Sequence, residues 1–280
     1  MPRPISWIEL DGVVNLRDVG GIPTTDGGSI RSGRLLRSDN LQDLTTADIG
    51  ELRRRGLTDV VDLRSDAEVS STGPGPLTRE EWVRIHHHSF FDERDLDGDG
   101  VPETSAPGPG PEPVETEESS AAKALPWVGK EPTTAHENPA TAHYLSYLSD
   151  RPDSIVAGLR VIAQAEGAVL VHCAAGKDRT GTLVAIALLL SGAEPEAVVA
   201  DYAASSERVG RILERLVATE TYGQVLGGQP AEWHMTHPET MAELIEHVQP
   251  GGDQTQLRKV LAGCGWTDQD TARLRAKLHD

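Results

Sequence analysis

The sequence predicts an α/β domain: a central, mainly parallel sheet flanked by helices, with a helical C-terminal part. Three observations predict it. Two short apolar runs, residues 59–63 and 168–171, have strand length and lie among helical patterns. Residues 182–190 read as a helix that is apolar on nearly every side, which places it at the centre of a domain. The segment joining the second run to that helix is short and rich in small residues, as in the strand–loop–helix units of an open sheet.

The elements follow in order. Asp26-Gly27 marks a turn, and residues 30–38 read as a strand beyond it. Leu44-Thr45-Thr46-Ala47-Asp48 opens a short helix with Thr46 as N-cap, running through Leu52 and stopping near Gly56. Residues 59–63 form a buried strand, and residues 82–91 another. Residues 92–140 change character: five prolines and four glycines fall between Gly98 and Pro113, without helical or strand period. This reads as an acidic, flexible insertion over 93–138, within a single domain of residues 1–280. A short lid helix over 121–128 is expected at its far end. Order returns near Thr141. Residues 153–166 carry Ile155, Val156, Leu159 and Ile162 on one helical face, and Gly167 ends the helix. From Glu194 onward the chain is mostly helical, with Thr236-His237-Pro238-Glu239 as a capping box.

Charge and composition narrow the function. The net charge is −18. Residues 92–120 hold ten acids against the single base Arg94, so half of that charge sits in a tenth of the chain. Such a chain does not suit nucleic acid, whose phosphate backbone needs lysine and arginine along it. Any bound anion must be held by a local positive pocket. The longest unbroken apolar run, residues 183–190, is far shorter than the ~20 residues of a membrane span. The start, Met1-Pro-Arg-Pro-Ile-Ser-Trp, lacks the apolar core of a signal peptide. The expectation is a cytoplasmic protein without stable membrane insertion, with export by an unrecognised route left open. Two cysteines, Cys173 and Cys264, are too few for a disulfide scaffold or a thiolate zinc site.

The segment that carries chemistry is Val171-His172-Cys173-Ala174-Ala175-Gly176-Lys177-Asp178-Arg179-Thr180-Gly181. It lies between the buried strand and the buried helix, where free N–H groups of a helix N-terminus converge and favour an anion. Ala174, Ala175 and Gly176 are small enough for the backbone to curl round a phosphate. Arg179, six residues after Cys173, returns to the same centre and offers a planar fork to two oxygens. Cys173 lies at the floor, where positive surroundings favour the thiolate, placed for in-line attack on a cradled phosphate. Lys177 falls on the rim, where it is either solvated or in contact with substrate.

The string HCxxGKDRTG resembles that of the bacterial protein-tyrosine phosphatase B-type family, tyrosine/serine phosphatases related to dual-specificity enzymes. Four further segments resemble the family in order: Asn15-Leu-Arg-Asp-Val-Gly-Gly21, Arg34-Leu-Leu-Arg-Ser38, Val61-Asp-Leu-Arg-Ser65, and Asp201-Tyr202 through Arg208. The likeness covers nearly the whole chain except about 93–138. It implies a cysteine-phosphatase (phosphotyrosine phosphatase II-like) fold and hydrolysis through a phosphocysteine, with no metal or cofactor. It implies that Arg179 and the amides of 174–179 hold the equatorial oxygens. Thr180 would hydrogen-bond the thiolate, and His172 would brace the loop. Asp18, Arg37, Ser38, Asp62 and Arg64 would support the site. For the general acid, Asp92 follows Ser89-Phe90-Phe91, where the family places an aspartate on a mobile loop. Asp178 is the next candidate and Asp95 the third. The expected substrate is phosphotyrosine on a protein, with phosphoserine/threonine as a further activity. A phosphoinositide phosphatase and a catalytically silent phosphate-binding scaffold are the alternatives, followed by sulfur transfer or arsenate reduction.

Other features have bland readings. His86-His87-His88 places only His86 and His88 on one strand face, too few ligands for a closed metal site. Asp95-Leu-Asp97-Gly-Asp99-Gly100 copies half a calcium loop but has Ala106 at position twelve. Cys264 has no basic neighbours and reads as inert. Trp127, Tyr144 and Tyr147 read as a lid over the pocket or as core of adjoining helices.

Overall fold

A computed structural model describes residues 4–91, 132–219, 222–223, 226 and 231–280. Six strands form one sheet, in the order β1 (Ser6–Trp7), β2 (Arg17–Asp18), β3 (Leu35–Ser38), β6 (Ala168–His172), β4 (Leu57–Asp62), β5 (Arg84–His87). The first three are antiparallel neighbours; β3, β6, β4 and β5 run parallel. The helices are α1 (Thr46–Arg54), α2 (Asp66–Thr72), α3 (Pro139–Asp150), α4 (Pro152–Gln164), α5 (Asp178–Leu190), α6 (Pro195–Ala203), α7 (Val209–Val217), α8 (Pro238–Val248), α9 (Thr255–Gly263) and α10 (Asp268–Leu278). The mainly parallel sheet and the helical C-terminal part agree with the sequence reading.

Alternation along the strands explains the two layers. Leu35, Val61, Val169 and Val171 face the larger core, shared with Ile155, Leu159 and Leu183. Leu36, Val60 and Leu170 face the other side, where Leu52 of α1 covers them. Every residue of α5 from Arg179 to Leu190 is buried, so this helix runs through the middle of the larger layer. Each aliphatic side chain buried there contributes about 1.5–3 kcal/mol. At Gly158 a Cβ would lie 2.8 Å from a Leu183 methyl, so α4 lies close against α5. Among the described residues no helix is long and apolar enough to cross a membrane.

Several boundaries differ from the sequence reading, each for a local reason. The strand expected over 30–38 is only Leu35–Ser38, because the chain turns at Gly33 (φ 69°) and Ile30 instead bridges His279. The strand expected over 82–91 is Arg84–His87; beyond it Ser89 Oγ accepts from the Phe91 amide at 3.2 Å and bends the chain. Thr45, not Thr46, caps α1, in a reciprocal box with Asp48. The box expected at Thr236–Glu239 is not made: the Thr236 hydroxyl donates to the Ala203 carbonyl, and α8 starts without a side-chain cap. α3 begins at Pro139, capped by Asn138, slightly before the expected Thr141. The expected lid helix, Trp127 and the calcium-like segment lie outside the described residues.

Candidate active site

Cys173 follows β6, the strand enclosed by β3 and β4, at the carboxyl edge of the sheet. The loop after it is shaped from outside. His172 Nδ1 donates to the Cys173 carbonyl at 3.1 Å, and the Asn40 amide to the Ala174 carbonyl at 2.9 Å. Asn15 Nδ2 donates to the Ala175 carbonyl at 2.9 Å, and Arg37 Nη2 to the Gly176 carbonyl at 2.9 Å. Successive carbonyls are therefore drawn outward. In a trans peptide the next N–H points the opposite way, so the amides of 174–177 turn toward the inside of the curl. Gly176 adopts φ 70°, and a Cβ there would lie 2.3 Å from the Ser38 carbonyl oxygen; the turn requires glycine. α5 begins at Asp178 and adds its N-terminal potential to the same concavity.

The outer braces are themselves locked. Arg37 Nη1 donates to Asp201 Oδ2 at 2.7 Å, and Arg17 Nε to Asp201 Oδ1 at 3.0 Å. Arg17 Nη1 also donates to Asn15 Oδ1 at 2.6 Å. All four residues are buried. Burial would raise the Asp201 carboxyl, but the Arg17 and Arg37 charges outweigh it and hold it below the usual carboxylate range. His172 lies 3.6 Å from Asp62, and Arg64 grips Asp62 at 2.6 Å. Burial drives the His172 imidazole toward its neutral form, and the Asp62 charge offsets this only in part. Ser38 lies beside the Gly176 turn, and its hydroxyl donates to Asp39 at 3.2 Å. Asp18 acts elsewhere: it accepts from the amides of Gly20 and Gly33 at 2.8 and 2.7 Å and shapes a turn at the sheet edge.

Arg179 is buried and points back to the start of α2. Its Nη1 and Nη2 donate to Glu68 at 2.5 and 2.9 Å, and Nη1 also to the Leu63 carbonyl at 3.2 Å. The guanidinium lies 5.0 Å from the centre of the Phe91 ring. Burial would lower its pKa, yet the paired Glu68 charge raises it well above the ordinary value. Glu68 also accepts from the Tyr222 hydroxyl. The sequence reading missed Glu68 and Tyr222. Ser65-x-x-Glu68 carries a capping-box signature, which α2 uses, but that pattern says nothing of the arginine it also holds.

Asp178 Oδ1 accepts from Tyr144 Oη at 2.5 Å and from Lys177 Nζ at 2.9 Å, and Tyr144 Oη lies 2.8 Å from Tyr202 Oη. Burial would raise the Asp178 carboxyl, but the Lys177 charge, the Tyr144 and Lys177 hydrogen bonds and Arg179 together hold it below the usual range. Thr180 Oγ is buried and has no hydrogen-bond partner among the described residues, so the expected bond to the Cys173 sulfur is not made here. The hydroxyl sits inside α5, where the position of Thr180 is fixed by the helix rather than by the sulfur. Asp92 and Asp95 lie outside the described residues.

Cys173, Ala174, Ala175, Lys177, Asp178 and Arg179 line one cavity of about 320 Å³. Its opposite wall is apolar, from Val209, Ile212, Leu213 and Leu216 of α7 with Leu226. Tyr144 and Tyr147 line it and are also core residues of the larger layer. Among the described residues no group of three or more histidine, cysteine or acidic side chains is arranged for a metal. His86 instead bonds Asp59 at 2.9 Å, and His87 the Arg64 carbonyl at 2.7 Å.

The chain is similar to known proteins along most of its length. A family model described as tyrosine phosphatase family matches residues 8–280. The triple specificity protein phosphatase PtpB of Mycobacterium tuberculosis is 34% identical over 216 residues, covering 74% of this chain and 72% of the relative. A Cupriavidus necator protein with a provisional tyrosine-protein phosphatase name is 28% identical over 276 residues, covering 96% of this chain and 86% of its own. A tyrosine-protein phosphatase of Nostoc commune is 27% identical over 184 residues, or 66% of this chain and 52% of its own.

Proposed function

The chain belongs to the tyrosine phosphatase family, and from that premise we propose how its residues share the reaction. Residues 1–280 act as a single phosphatase domain in the cytoplasm. One observation carries the reading: Cys173, Arg179 and the amide-lined curl between them border one cavity. A phosphate monoester enters with its oxygens toward the amides and Arg179. The Cys173 sulfur attacks phosphorus, the S–P bond forms, and the bond to the leaving oxygen breaks as that oxygen takes a proton. Water then attacks phosphorus, gives up a proton and releases the thiolate. Fixed donors in the curl favour the transition state because they need no rearrangement as charge develops.

Asp178 is the aspartate, among the described residues, that lines this cavity beside the nucleophile. It is held ionised at rest, but a phosphate dianion in the curl is a like charge, which pushes its carboxyl up and favours the protonated acid. We assign proton donation to Asp178, with Asp92 as the competing assignment. Leaving-group dependence decides between them. Substituting the true acid by asparagine slows phenyl phosphate hydrolysis by ~10²–10⁴-fold and nitrophenyl phosphate hydrolysis much less. If only Asp92→Asn behaves this way, the assignment to Asp178 is wrong.

The apolar α7 wall suits the ring of phosphotyrosine, which supports a phosphotyrosyl protein as substrate, with phosphoserine and phosphothreonine as weaker ones. Lys177 on the cavity rim favours a second reading, a phosphoinositide headgroup. Rates on a phosphotyrosine peptide, a phosphoserine peptide and a phosphoinositide separate the two. Cys173→Ser tests the mechanism itself: turnover should vanish while phosphate-ester binding, measured by calorimetry, persists. Turnover near that of the parent protein would refute attack by sulfur.

A further inference from the structure

We propose that Tyr144 is a positioning residue for the reaction: its phenol, backed by Tyr202, fixes the Asp178 carboxyl at the cavity and governs when that carboxyl carries a proton. The inference rests on the assignment of Asp178 made above and concerns a residue outside the nucleophile loop. Tyr144 comes from α3 and bonds Asp178 Oδ1, and Tyr202 comes from α6 and bonds the Tyr144 hydroxyl, so two separate helices build one chain of hydroxyls ending on Asp178. Asp178 accepts, so Tyr144 is the donor in that bond, and its oxygen is left to accept from Tyr202. A donor whose own oxygen accepts a hydrogen bond is polarised and donates more strongly. Both phenols are buried, and burial with the nearby Asp178 charge pushes both pKa values upward, so they stay protonated and keep donating.

The Tyr144 ring is held for this task. It stacks on Tyr147 with centroids 6.1 Å apart and meets Tyr202 edge to face at 6.1 Å. Lys177 engages the same Asp178 oxygen from the loop, and Arg179 adds charge from α5. Tyr147 from the α3 side and His234 from the far wall also sense the Asp178 charge. His143 lines the same cavity. Of these groups only Tyr144 bridges Asp178 to a second hydroxyl, so its removal changes the carboxyl's partners and leaves the surrounding charges in place.

The direction of the effect follows. A hydrogen bond to the ionised form favours that form, so losing the Tyr144 hydroxyl lets Asp178 hold its proton to higher pH. The direct measurement is the ¹³C titration of the Asp178 carboxyl in a Cys173→Ser background, with the resonance assigned by Asp178→Asn. Tyr144→Phe, which keeps the stacked ring, should move the midpoint upward by roughly one pH unit, the size expected for one hydrogen bond to a charged group. Tyr202→Phe should move it the same way by less. An unmoved midpoint in folded Tyr144→Phe overturns the proposal. In otherwise unsubstituted enzyme, the basic limb of kcat/KM for phenyl phosphate should shift upward with the midpoint. If the midpoint moves and the limb does not, the link from Tyr144 to Asp178 stands and the assignment of Asp178 as the acid fails.

Discussion

Glu68 is fully buried, and its two oxygens bind both terminal nitrogens of Arg179 and the Tyr222 hydroxyl. It decides where the Arg179 guanidinium, to which we assign phosphate binding, points. Removing one partner of a buried pair leaves an uncompensated charge, so Glu68→Ala should cost about 3–5 kcal/mol, read as a fall in the urea midpoint. At a temperature where the variant is folded, kcat/KM should still fall by ~10²-fold, because the fork is no longer aimed. An active Glu68→Ala of unchanged stability would show that Arg179 is oriented by something else. Cys173, Arg179 and the small residues between them stood out in the sequence through the whole string in its strand–loop–helix setting, not through the Cys–Arg spacing by itself. Glu68 did not, because its partner lies 111 positions away and no local pattern encodes so distant a pairing. The Thr180 hydroxyl shows the converse: the family resemblance implied a bond to the Cys173 sulfur that is not made here.

At the scale of elements, the curl of the loop depends on β2, β3 and α6 meeting at Asp201. The two arginines that flank this carboxylate are buried and have it as their common anion. Asp201→Asn keeps the shape but removes the charge. Arg37 should then loosen from the Gly176 carbonyl, and the amides behind it should lose alignment. We expect kcat/KM to fall by ~10²-fold, the usual cost of about 1 Å of misplacement. Competitive inhibition by vanadate should weaken in step; unchanged vanadate affinity would mean that the loop holds its own shape. Periodicity made β4, β6 and α5 legible, since their burial is encoded in consecutive residues. Caps were less legible. Thr45 and Thr46 are equivalent as text, and Thr236 has a carbonyl on another helix within reach of its hydroxyl. Which hydroxyl caps is settled by tertiary neighbours that local sequence does not contain.

For the whole molecule, the same buried pairs set the response to acid. Asp62, Asp178 and Asp201 are each raised by burial, and each is pulled back below the ordinary carboxylate range by basic partners or hydrogen bonds. A carboxylate depressed in the folded state contributes stability that is present above its unfolded pKa of about 3.9 and is lost as pH falls toward the folded value. Asp39 works against this, since burial pushes it up despite the Arg215 charge, but it is one group against three. The urea midpoint should slip between pH 7 and 5, where the buried, neutral His172 gains a proton only on unfolding, and drop steeply below about pH 4. A midpoint that rises on acidification would contradict the pairing. The net charge of −18, by contrast, was legible at once but did not reveal this centre, where buried arginines surround an anion cradle. The Arg17–Asp201 pair also has a temporal meaning. Its members are 184 residues apart, a separation that takes roughly 10–40 s to synthesise. Through that interval a chain emerging from the ribosome already contains Cys173 for its last few seconds but not the anion that tensions the loop around it. Chemical competence therefore arrives as a late, single event in the life of the polypeptide, and a nascent chain stalled before Asp201 should be inert toward phosphate esters.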